Sequence, residues 1–154
     1  MEGIKLEFTF RGRATRNTYW SAVLIAVFGG GALLGLEVAI VVLGLTEGAM
    51  ISSAIVALIL LVFFAAKVVR RLHDRDKSGA WIVVFWVAPI VLRELTKGSL
   101  DTTSVARGVL ASALNVASLV LVVWGQVELG FLRGTRGANR FGDDPLRPGG
   151  EVFA

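Results

Sequence analysis

Four long apolar runs separated by short polar connections dominate this chain. They cover 19–45, 50–69, 80–95 and 105–127. Ser21 and Glu37 are the polar side chains in the first, and Ser52, Ser53 and Lys67 those in the second. The third is short and contains Pro89. The fourth carries Arg107, Ser112, Asn115, Ser118 and Gln126. A helix needs ~20 apolar residues, within a range of about 17–25, to cross the hydrocarbon of a bilayer. The pattern therefore predicts an all-α fold: a polytopic helical membrane protein with about four transmembrane helices. Pro89 could break the third ladder, which leaves a tilted or re-entrant half-helix as the alternative for 80–95. Leu45-Thr46-Glu47-Gly48 reads as a tight turn. The organisation is one membrane domain over 1–154, with a segment 1–18 before the first span and a tail from 128 to 154.

The basic residues give this arrangement a direction. Lys5, Arg11, Arg13 and Arg16 precede the first span. Lys67, Arg70, Arg71, Arg75 and Lys77 lie between the second and third, and Arg133, Arg136, Arg140 and Arg147 are in the tail. Of the 16 Lys and Arg residues, Arg93, Lys97 and Arg107 alone fall on the opposite side. Lys and Arg accumulate in cytoplasmic connections. Both termini and the central connection are thus expected in the cytoplasm, which requires an even number of spans. Tyr19, Trp20, Trp81 and Trp124 fall near the same ends of their helices, where amphipathic rings prefer the headgroup level.

Composition narrows the class further. The chain is 55% hydrophobic and 18% charged, against roughly 45–50% and about 25% for an ordinary soluble domain. It has no cysteine, so disulfides and cysteine-ligated metals are excluded. The net charge of +4 reads as orientation and contact with anionic lipid rather than nucleic-acid binding. The first apolar run is about twice a signal core of 7–15 residues, so a retained span is expected there.

Three polar motifs stand on the predicted cytoplasmic side. They are Phe10-Arg11-Gly12-Arg13-Ala14-Thr15-Arg16-Asn17-Thr18-Tyr19-Trp20, then Arg70-Arg71-Leu72-His73-Asp74-Arg75-Asp76-Lys77-Ser78-Gly79-Ala80-Trp81, then Gly134-Thr135-Arg136-Gly137-Ala138-Asn139-Arg140-Phe141-Gly142-Asp143-Asp144-Pro145. In this order they resemble the bacterial family known as domain of unknown function 805. The resemblance covers nearly the whole chain and implies a small inner-membrane protein, without a reaction. In shorter members a single apolar stretch joins the second and third motifs; here 95–105 interrupts it and a further span follows.

Each motif has a plain structural use beside a chemical one. Gly12 suggests a turn, and Thr15 a helix N-cap. Arg70 and Asp74 stand four apart, close enough to pair along a continuing helix. Ser78 or Asp76 could cap the third helix. His73, the single histidine, either locks the bend by hydrogen bonding or acts as a general acid or base with Asp74. One histidine does not make the usual zinc site, and neither a metal nor a cofactor is expected. Gly134, Gly137 and Gly142 around Asn139 permit unusual backbone turns. No Walker-type or dinucleotide-binding glycine pattern is present.

Taken together, Arg11, Arg13, Arg16, Arg70, Arg71, Arg75, Asn139 and Arg140 are the candidate anion-binding residues. Helices starting on that side also point their positive dipole ends there. The leading expectation is a non-enzymatic binding or interaction module for anionic lipid headgroups or an acidic protein partner. Mutual support, with Asp74 neutralising the arginines, is the competing use of the same residues. A membrane enzyme acting on a phosphorylated headgroup through His73 and Asp74 is one alternative. A transporter subunit using Glu37 and Arg93 is another. Gly31 and Gly35 offer a small-residue face for a homo-oligomer.

Overall fold

A computed structural model describes residues 8–44, 49–97 and 104–146. The expected turn at 45–48, Lys5 and Arg147 lie outside the described residues, as does 98–103 of the connection before the fourth run. Helix α1 spans Arg16–Val42. Thr15 caps it as expected, with extended backbone and its hydroxyl accepting the Thr18 N–H at 3.3 Å. At the other end Gly44 takes a φ of +71° and its N–H reaches the Val41 carbonyl, a left-handed stop that glycine adopts without strain.

Helix α2, Ala49–Asp74, runs through the Arg-His-Asp motif instead of ending with the apolar run. It closes at Asp76, the one described non-glycine residue with positive φ (56°). The Lys77 N–H bonds back to the Leu72 carbonyl at 2.9 Å, and the Asp76 N–H to that of His73 at 3.0 Å. This pair of bonds is a Schellman stop, with aspartate where glycine is usual.

The next helical stretch, 81–97, has two windings. Val83–Val87 is π-helical and runs directly into α3, Ala88–Lys97. Pro89 has no N–H to give the preceding turn, and the wider winding lies just ahead of it. Helix α4, Val105–Gln126, likewise passes into a π turn, Val127–Phe131, and stops at extended Leu132.

Among the described residues there are thus four helical elements. Arg16–Val42, Ile51–Asp74 and Val105–Phe131 are long and apolar enough to cross a bilayer. The third expected span is a shorter element. Its proline, its change of winding and Arg93, Glu94 and Lys97 near its end shorten the apolar part.

Helix α1 packs along α2, and α3 along α4; the π turn after α4 touches both α1 and α2. The buried core is Tyr19, Val68, Leu72, Phe85 and Leu129, surrounded by Trp20, Phe64, Trp81 and Trp86. These residues gather at the end of the helices that carries the three motifs. Away from it, Phe28, Leu34, Ile51, Leu58, Val109 and Leu119 are exposed. So broad an apolar surface is unsuited to water and suits hydrocarbon, while helical backbones satisfy their own polar groups there.

Candidate functional site

The last turns of α2 and the residue after it place Arg70, Arg71, His73, Asp74 and Arg75 beside the N-terminal segment and the tail. Asp74 is the centre. Its Oδ1 accepts Arg13 Nε at 2.9 Å, and its Oδ2 accepts Arg71 Nη1. The Asp74 side chain is 5% exposed, and those of Arg13 and Arg71 are 2% and 1%. Two cations around one carboxylate leave a net positive charge that the surroundings must stabilise.

Main-chain carbonyls do so. Arg13 also donates to the carbonyls of Thr135 and Gly137, both at 2.6 Å. Arg71 donates to those of Leu129, at 2.7 Å, and Leu132. Arg16 reaches the Phe131 carbonyl at 3.2 Å, and the Trp20 indole N–H that of Gly130 at 3.1 Å. The last carbonyls of a helix lack intrahelical donors and carry the negative end of its dipole. Arginines of two other segments therefore cap the end of α4.

The end of α2 is covered in return. The Ala14 N–H donates to the Arg70 carbonyl at 3.0 Å, and the Thr135 N–H to that of Asp74 at 2.8 Å. The Arg70 guanidinium reaches back to the Arg13 carbonyl at 3.4 Å. Gly134 lies directly against Asp74: a Cβ there would collide with the carboxylate.

The remaining motif residues surround this centre. His73 Nδ1 bonds to the Gly12 carbonyl at 3.1 Å, so that nitrogen carries the proton. The imidazole stacks on Phe141, with ring centroids 3.9 Å apart. Asn139 donates to the His73 carbonyl and the Thr135 hydroxyl, both at 2.9 Å, and accepts the Phe141 N–H. Gly12 and Gly137 adopt φ of +83° and +75°; each presents a carbonyl to the cluster from a turn unfavourable to other residues. Arg140 pairs with Asp76 at the surface, at 3.1 Å. Backbone N–H groups of Leu146 and Gly137 hold the Asp144 carboxyl below its ordinary pKa.

All eight residues singled out for anion binding belong to this end of the molecule, in unequal settings. Arg13, Arg70 and Arg71 are buried; Arg75 and Asn139 are half-buried; Arg11, Arg16 and Arg140 are exposed. Spacing suggested Arg70 as the helical partner of Asp74, whereas Arg71, three residues away, lies on Oδ2 and Arg13 takes Oδ1.

Sequence reasoning overlooked Glu128. It is buried and holds Arg75 at 3.0 Å, with the Lys77 ammonium at 3.8 Å. Its signal was available: an acid at the end of an apolar run, on the side where the basic residues collect. It also missed Gln126 as the acceptor of the Tyr19 hydroxyl, at 2.8 Å. No group of three or more metal-ligating side chains occurs among the described residues. Glu37 and Arg93 are exposed and outside the cluster.

The three motifs that meet here are embedded in a match that runs almost from end to end. The family described as protein of unknown function (DUF805) matches residues 7–143. The chain is 32% identical over 136 residues to the inner membrane protein YhaI of Escherichia coli K12, covering 88% of this chain and 85% of YhaI. It is also 32% identical over 139 residues to the uncharacterized protein YiiR of the same organism, covering 89% of this chain and 86% of YiiR. No solved structure matches. With its long apolar helices and its polar knot built from three separated motifs, the chain is a multi-pass inner-membrane protein belonging to the DUF805 family.

Proposed function

We propose that this protein is a non-enzymatic binding module of the membrane, with a cytoplasmic basic face for anionic lipid headgroups. The observation that carries this reading is the division among its arginines. Arg13 and Arg71 direct their donors to Asp74 and to main-chain carbonyls. Arg11, Arg16, Arg133, Arg136 and Arg140 form an exposed rim around them. The buried pair holds the three segments together, and the rim meets phosphates, which guanidinium binds well. Hydrogen bonds among the three motifs support a common side of the bilayer, and the Lys/Arg bias supports the cytoplasmic one. Four crossings, with 81–97 as a short third, follow from that common side. The occupied oxygens of Asp74, and a His73 ring held by Gly12 and Phe141, favour binding over acid-base chemistry.

Thermal unfolding of the full chain in nanodiscs tests the proposal. Phosphatidylglycerol should raise the Tm relative to phosphatidylcholine. Combined Arg11→Ala, Arg133→Ala and Arg136→Ala should remove most of that rise, and His73→Gln should leave it intact. Equal Tm values in the two lipids for wild type would refute the lipid face. Reporter fusions placing the tail and the Arg-His-Asp bend on opposite sides would refute the shared surface.

A further inference from the structure

A cavity of about 540 Å³ opens between the 81–97 stretch and α4, reaching from Phe85 and Gln126 beside the core to Arg93. Trp86, Ile90, Leu119 and Val122 line its length, and Arg93 and Asn115 stand toward its far end. Its size is that of a site for one small organic molecule or chain. Ile90 and Leu119 are 60% and 62% exposed, so the trough is open along its side. The two walls are tied together: the Ser118 hydroxyl donates to the Pro89 carbonyl at 3.0 Å, and Gly125 lets α4 approach Phe85. The π winding of Val83–Val87 supplies Phe85 and Trp86 to the lining, and such windings often mark functional places in helices.

Charge identifies the occupant. Lys97 is matched by Glu94 at 2.7 Å, but among the described residues no carboxylate pairs with Arg93. A cation at the end of an apolar trough, within a lipid-facing helix pair, is unfavourable unless an anion or water meets it. An acyl chain in the trough brings an anionic headgroup to that cation. The geometry points to a resident anionic glycerophospholipid, one acyl chain along Trp86, Ile90, Leu119 and Val122 and its phosphate on Arg93. None of the rim arginines lines this site, and its charged end, Arg93, lies toward the opposite end of the helices.

Native mass spectrometry of the full chain, exchanged into equal amounts of phosphatidylglycerol and phosphatidylcholine, reads the occupancy. Wild type should retain one phosphatidylglycerol in preference to phosphatidylcholine. Arg93→Gln should weaken that retention about tenfold, as loss of one charge-assisted contact would, while Arg93→Lys retains part of it. Leu119→Trp, which fills the trough and leaves the charge, should lower retention of both lipids. The Arg11, Arg133 and Arg136 substitutions should leave this lipid bound, which separates the site from the rim. The inference is overturned if wild type holds no lipid, holds both equally, or ignores both Arg93→Gln and Leu119→Trp. It is also overturned if the protein is a dimer that Leu119→Trp dissociates, since a second copy would then fill the trough. An unchanged Tm for each variant confirms folding; if Leu119→Trp lowers it, Leu119→Phe takes its place.

Discussion

Near its end, α2 carries Ala66, Val68 and Leu72 buried to within 2% of complete and Arg71 to within 1%, whereas Ile51, Leu58 and Leu61 on its earlier turns are 59–70% exposed. The same helix is therefore protein interior at one end and lipid-facing surface at the other. In hydrocarbon, apolar side chains gain little by leaving lipid for one another, so association depends on close packing and polar contacts. Here those contacts gather where three segments of the chain meet. Cohesion should follow them and not the apolar area.

The contrast is easiest to break at Asp74. Asp74→Ala leaves Arg13 and Arg71 buried without their common counter-ion, and removing one partner of such a cluster costs about 3–5 kcal/mol. Thermal unfolding in detergent should show a larger loss for Asp74→Ala than for Gly134→Ala, Asn139→Ala or Leu58→Ala. Gly134→Ala comes next, because its methyl would displace the carboxylate; overpacking of this kind costs about 1–3 kcal/mol. Asn139→Ala removes hydrogen bonds to the His73 carbonyl and to Thr135, each worth about 1 kcal/mol, and limited proteolysis should cut the tail of that variant faster. Leu58→Ala, in the lipid-facing half, should stay within about 0.5 kcal/mol of wild type, as surface changes do. If Leu58→Ala matched Asp74→Ala, the division between the halves would be wrong. The smallest effect concerns pH. Asp144 has a lowered folded pKa, so it contributes stability above its unfolded pKa and loses it as pH falls through the folded value. The Tm gap between wild type and Asp144→Asn should therefore narrow on acidification.

Apolar run lengths predict the long helices, and the three motifs mark the segments that meet. Thr15 was readable as a cap because its chemistry is local. The partners of Arg13 and Arg71 were not, since most are carbonyl oxygens, and every residue carries one. Whether a guanidinium turns inward depends on which helix ends remain uncapped nearby, and that is settled by packing. A continuing helix through Arg70 and Asp74 is one reading of the sequence and a charged bend the other; the choice between them depends on counter-charges and acceptors from distant segments. The π windings left no signature beyond Pro89.

Because Leu129, Leu132, Thr135 and Gly137 are gripped by their peptide oxygens, the docking of this strip depends on counting more than on spelling. Exchanging the Leu132 or Thr135 side chain leaves its oxygen in place. Inserting one residue between Leu132 and Gly134 shifts every later oxygen by a step of ~3.3–3.6 Å, longer than a hydrogen bond can stretch. A single added codon there should be more disruptive than replacing either side chain, since it throws the whole clasp out of phase.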